Sequence, residues 1–176
     1  DLNHPHFGPD ADGDGIADRI IFQYDFTYSN DDDASDSGDH GTHVAGSMLG
    51  DGSGDSSYIG MAPETTFHFY QLEHDQSGQL ARWGSLYDMF RHSRQQSASV
   101  QSNSWGAETM GGQYTSDSRS ADAFMSDYGD YTVLFAAGNE GAQGSSTVSP
   151  PSTAKNVLTV GASTSGRPGT PSQGQV

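Results

Sequence analysis

Three short stretches of this 176-residue chain combine side chains that can move or stabilise charge. In His40-Gly41-Thr42-His43-Val44-Ala45-Gly46 an imidazole ends an acidic loop, and small residues that let a helix pack closely follow it. An imidazole takes up and returns a proton near neutral pH, which makes His40 a candidate general base; the plainer reading is a capping or surface histidine. His40 and His43 also form a possible metal pair, but two ligands three apart without a third His or Cys are a weak zinc signature. In Phe135-Ala136-Ala137-Gly138-Asn139-Glu140-Gly141 small residues leave open space, and the Asn139 amide can donate to a developing oxyanion. The alternative is an Asn suited to the left-handed region in a glycine-flanked turn. Asn103-Ser104-Trp105-Gly106 adds a glycine that admits a ligand backbone and a broad apolar ring, or else a strand-ending turn with a core Trp.

The acidic loops offer a different chemistry. Asp10, Asp12, Asp14 and Asp18 fall at the first, third, fifth and ninth positions of a calcium loop, with Gly15 at the sixth. The twelfth position is Ile21 where a bidentate Glu would complete an EF-hand, so a looser calcium loop is expected. Asp31, Asp32, Asp33, Asp36 and Asp39 form a second cluster, read as a solvated, self-repelling loop with calcium as the alternative. Nothing calls for an organic cofactor, and His4, His6, His68, His74 and His92 show no partner pattern.

These residues need elements to hold them. Short strands are expected at 20–26, 66–72, 99–103, 132–137 and 156–160, the last two nearly continuous in apolar residues, as buried parallel strands are. A short helix is expected over 40–49, where Val44, Ala45 and Met48 share a face. Two further helical stripes are Trp83, Leu86, Tyr87, Phe90 and Ala121, Phe124, Met125, Tyr128. Strands alternating with amphipathic helices imply an α/β fold of three layers, a mainly parallel, doubly wound sheet with helices on both faces. Ligands of such sheets bind beyond the carboxyl ends of the strands, which singles out the residues after Asn103 and after Ala137.

Composition narrows the partners. With glycine counted, the apolar share reaches about 45%, enough for a globular domain. A net charge of −16, carried by 23 acidic residues of which 19 are Asp, repels phosphate backbones and anionic lipid, so nucleic acid and membranes are excluded as partners. The single lysine, Lys155, also fits work in high salt. Without cysteine there are no disulfides, thiolate nucleophiles or Cys-zinc sites.

In order and spacing, the His40 heptapeptide, Ser104-Trp105-Gly106, the Asn139 segment and Ala154-Lys155-Asn156-Val157-Leu158-Thr159-Val160-Gly161-Ala162 together resemble the subtilases, the subtilisin-like serine endopeptidases. Tyr114 to Arg119 and the Phe135 to Gly141 run look most similar to the oxidatively stable alkaline branch. The resemblance implies that His40 and Asn139 are catalytic. It also implies that Ser104, Trp105, Gly106 and Ala136, Ala137, Gly138 flank the pocket for the side chain before the cut bond, with Glu140 near its rim. It implies polypeptide substrates, a secreted, extracellular protein and a monomer. The family's Asp-Thr/Ser-Gly-Ile/Leu-Asp and Gly-Thr-Ser-Met-Ala motifs are not in the chain: Asp1 matches the second Asp of the former, and Gly169-Thr170 the first two letters of the latter. Residues 1–176 are therefore expected to be one partial peptidase domain, inactive alone, with catalytic Asp upstream and Ser downstream. The alternative function is a non-catalytic extracellular calcium-binding module on the same scaffold.

Overall fold

The computed structural model describes residues 1–27, 34–35 and 38–163. Asp31, Asp32, Asp33 and Asp36 of the second acidic cluster lie outside them. Two compact units divide the chain, Asp1–Trp83 and Gly84–Val176.

The first unit is built on two parallel strands, β1 (Ile20–Asp25) and β2 (Phe67–Gln71), joined through α1 (His40–Leu49). Both strands are rich in aromatic and β-branched residues, which suit a pleated surface. Phe22 pairs with His68 and Tyr24 with Tyr70 in register. Phe7, Ala17, Ile20, Ala45 and Phe67 form the core, where Phe7 meets Phe67 edge-on at 5.4 Å. After β2 the chain makes a small antiparallel hairpin, β3 (Glu73–His74) and β4 (Gln79–Leu80), for which the sequence held no clear period.

Trp83 departs from the expected helical stripe. It stacks on Phe26 at 4.5 Å, and its backbone N–H bonds the Phe26 carbonyl. The helix begins only at Leu86, because Gly84 turns the chain at φ +71° and Ser85 caps the helix start.

In the second unit, α2 (Leu86–Gln95) and α3 (Ser116–Asp127) flank β5 (Val100–Asn103), and β6 (Thr132–Ala136) and β7 (Leu158–Val160) complete a parallel sheet of order β5-β6-β7. Both helices open with a reciprocal capping box, Ser85 with Asp88 and Thr115 with Ser118. Such boxes satisfy amides that the first helical turn leaves without partners. The Ser85 hydroxyl and amide hold the Asp88 carboxyl below its ordinary range. Phe124 is fully buried, with Phe90 at 5.4 Å and Tyr131 at 5.2 Å. Burial raises the Tyr131 phenol, which shares a 2.8 Å hydrogen bond with Ser93.

Val133 and Phe135 carry this core on one face of the sheet. On the alternate face Val100, Leu158 and Val160 are exposed, so β7 is apolar yet open rather than buried as its composition led us to expect. It forms one edge of the sheet. The fold is α/β with parallel sheets and helices, as the alternation of elements implied.

Candidate active site

His40 is the first residue of α1 and is exposed. The residue before it, Asp39, sits in the left-handed region at φ +60° and makes no side-chain cap, although its carbonyl accepts the first helical bond from His43 N–H at 3.0 Å. The sharp entry leaves the imidazole at the helix lip. Thr42, one position beyond Gly41, accepts a 2.7 Å hydrogen bond from the Asp1 backbone nitrogen.

The far end of α1 is held by the 60–62 segment: Gly60 N–H bonds the Gly50 carbonyl at 2.7 Å, and Ala62 N–H bonds the Met48 carbonyl at 2.8 Å. A Cβ on Gly60 would lie within 2.8 Å of Leu49 and Gly50 backbone nitrogens, so this approach requires glycine. Among the described residues no cluster of three metal-ligating side chains includes His40 or His43.

Asn139 stands just past the carboxyl end of β6, in the second unit, and is exposed. Gly138 turns the chain there at φ +109°. The turn is braced from below. Ser149 N–H bonds the Ala137 carbonyl at 3.0 Å, Ser152 Oγ donates to the Ala136 carbonyl, and Ala137 N–H bonds the Val160 carbonyl at 2.9 Å. The same lower segment carries the other candidate stretch, since Ala107 N–H bonds the Pro150 carbonyl at 2.8 Å and Gly106 lies against Ser149 and Pro150.

Ser104-Trp105-Gly106 and Ala136-Ala137-Gly138 are thereby brought together on one support, residues 149–152. Trp105 meets Phe135 edge-on at 5.3 Å, and buried Asn103 donates to the Leu134 carbonyl at 3.0 Å, locking β5 to β6. Asn139 Nδ2 donates to Glu108 Oε1 at 3.5 Å, while Glu140 accepts from Gln143 Nε2. Sequence reasoning missed Ser149, Ser152 and Glu108. A Ser-Pro-Pro-Ser run reads only as a turn, and the pairing of Glu108 with Asn139 spans 31 residues.

The acidic loop is partly as its spacing implied. Carboxylate oxygens of Asp10, Asp12 and Asp18 all lie within 4.8 Å of one another, an exposed cluster that could hold an ion. Asp14 is not part of that trio and accepts from Ile16 N–H at 2.8 Å. Asp10 gathers the loop around itself, accepting from Gly13 N–H at 2.7 Å, Asp14 N–H at 3.1 Å and Gly15 N–H at 3.0 Å.

Each unit is an α/β arrangement with parallel strands, His40 at the start of a helix in the first and Asn139 beyond a strand end in the second. The chain belongs to the subtilase family (peptidase S8), whose model matches residues 1–175. It is 31% identical to the serine protease/ABC transporter B family protein tagA of Dictyostelium discoideum over 169 residues, 93% of this chain and 9% of that protein. It is 37% identical to tagD of the same organism over 134 residues, 70% of this chain and 7% of the relative. A thermophilic serine proteinase from Bacillus sp. (strain AK1) is 33% identical over 155 residues, 88% of this chain and 34% of that protein. The chain thus spans from under a tenth to about a third of the length of these relatives.

Proposed function

We propose that this chain supplies the histidine and the oxyanion donor of a secreted serine endopeptidase, and that the catalytic Asp and Ser come from polypeptide on either side of it. His40 takes the proton from the serine hydroxyl as it attacks the scissile carbonyl, and returns it to the leaving amine. The aspartate holds the imidazole in the tautomer that can accept that proton. Asn139 donates its amide to the tetrahedral oxyanion. The Asp1 backbone nitrogen lies 2.7 Å from Thr42 Oγ1, which supports preceding polypeptide reaching the first turn of α1.

The observation that carries this reading is the exposed Asn139 amide on the Gly138 turn, beside the Ser104–Gly106 stretch. In the full-length protein, Asn139→Ala is expected to cut kcat about 100- to 1,000-fold with KM little changed, the range found for this donor in subtilisin, a member of the same family. Unchanged turnover would remove Asn139 from its role.

Calcium is the ion we assign to Asp10, Asp12 and Asp18, since a hard cation prefers carboxylate oxygens and the cluster offers three. Its part is structural, cross-linking a loop whose carboxylates otherwise repel. The same cluster supports a second reading, an extracellular calcium-binding module that has lost catalysis. That module would bind calcium and hydrolyse nothing in the full-length protein. Monomeric state and kinship with the oxidatively stable alkaline branch complete the proposal, the latter supported by the Tyr114–Arg119 stretch that opens α3.

A further inference from the structure

Ala137 stands two residues before Asn139, and both of its backbone groups are paired. Its N–H bonds the Val160 carbonyl at 2.9 Å, and its carbonyl accepts from Ser149 N–H at 3.0 Å. Ser149 and Val160 lie on either side of a bend at Lys155-Asn156, and a side chain of α3 holds that bend. Asp122 Oδ1 accepts from Lys155 N–H at 2.8 Å and from Asn156 N–H at 2.7 Å, while its Oδ2 accepts from the Tyr114 hydroxyl at 2.7 Å. Asn156 Nδ2 donates in return to the Asp122 carbonyl at 3.3 Å. Hydrogen bonds to an ionised acceptor are roughly twice as strong as neutral ones, so one carboxylate makes a firm clamp here.

From this clamp the bonds run without a gap to the oxyanion turn. Ser118, one helical turn before Asp122 and fully buried, shares a 2.8 Å hydrogen bond with the Thr153 hydroxyl, which donates to the Gln113 carbonyl at 2.8 Å. Thr159 Oγ1 donates to the Ser152 carbonyl at 2.6 Å, and Ser152 Oγ to the Ala136 carbonyl. Residues 149–160 thus form a strap, pinned at its middle by Asp122 and gripping residues 136 and 137 from both of its arms. Gly138 packs on the same strap, since a Cβ there would lie 2.7 Å from Ser149 Oγ. Having no side chain, Gly138 cannot stiffen the step to Asn139 by itself. The Asn139 amide makes one long contact, to Glu108 at 3.5 Å, so its aim is set by the backbone that the strap holds.

We propose, resting on the role given to Asn139 above, that Asp122 is a positioning residue of the peptidase: its carboxylate fixes the strap that aims the oxyanion donor. In the full-length protein, Asp122→Ala is expected to lower kcat about tenfold with KM within about twofold, because a misplaced donor weakens the transition state and leaves substrate binding alone. Asp122→Asn keeps an oxygen for the two amides and turns its NH2 to the Tyr114 oxygen, so it stays within about threefold of the parent. The deciding measurement is a double-mutant cycle. Beside Asn139→Ala, with the donor gone, Asp122→Ala should cost less than about twofold more. Loss of folded protein would lower both backgrounds equally. A loss of the same size in both backgrounds, or an unchanged kcat for Asp122→Ala, would therefore overturn the proposal. If Asp122→Ala does not fold, Asp122→Glu, which carries the carboxylate one methylene past the amides, enters the same cycle with the same two outcomes. If no peptide is cut, or Asn139→Ala alone leaves turnover intact, the reading of Asn139 fails on its own, and amide hydrogen exchange decides the clamp. Ala137 and Ser149 amides exchanging about tenfold faster in the Asp122 variant, with the rest of β6 still protected, uphold it, and equal rates overturn it.

Discussion

The two units hold their chemistry in opposite ways. Around His40 the backbone is bent by carboxylates and glycines: Asp39 is left-handed, α1 has no side-chain cap, and the Asp10 loop is drawn together by bonds to its own amides. Around Asn139 the support is packing and paired polar groups, with two capped helices against a buried aromatic core and a serine-proline segment under the turn. Under the proposed roles, the proton carrier sits on a locally uncapped helix lip, whereas the oxyanion donor is fixed before charge develops.

If that contrast is right, damage to the aromatic core should fall on the asparagine unit. Phe124→Ala is expected to destabilise it by about 3–5 kcal/mol, seen as lost hydrogen-exchange protection in α2, α3 and β6 with protection in β1 and β2 retained. Loss that is equal in both units would erase the distinction. Calcium should act in the reverse sense. At about 100 times its dissociation constant it stabilises the histidine unit by about 2.7 kcal/mol, and Asp10→Asn, Asp12→Asn together abolish the rise in melting temperature.

Caps sharpen the comparison at a smaller scale. Ser85→Ala is expected to cost about 1 kcal/mol, while Asp39→Gly, at φ +60°, is neutral or stabilising by up to about 1 kcal/mol. Urea titrations of the two variants read both signs. The smallest effect concerns His68, whose ring is held below its ordinary range by burial and whose Nδ1 has no hydrogen-bond partner among the described residues. The neutral form is the one the fold favours, so stability is complete above the unfolded value of about 6.5, falls as pH drops through it, and levels off below the folded value. His68→Phe should flatten that acid-side slope in the urea midpoint.

Much of the frame could be read before the structure, because period and composition act locally. Val44, Ala45 and Met48 marked α1, and the aromatic run at 20–26 marked β1. Misreadings arose where a local pattern served a distant partner. Trp83 keeps helical spacing with Leu86 and Tyr87 but is claimed by Phe26, and β7 has the apolar run of a central strand while forming an edge. In the candidate site, Gly138 was legible as a turn glycine, whereas Asn139 does not take the left-handed backbone that its turn reading expected. Ser149 was not legible, since nothing near it in the chain signals that its side chain lies against two glycines.

Gly60 sets a limit on how this protein can be diversified. Tyr58, Ile59 and Met61 around it are exposed, so a randomised library across 58–61 would accept wide change at those three positions. At position 60 even a methyl group would meet backbone atoms at 2.7–2.8 Å, and the end of the histidine helix would be levered out of place. One invariant column in an otherwise permissive loop is the expected readout of deep mutational sequencing.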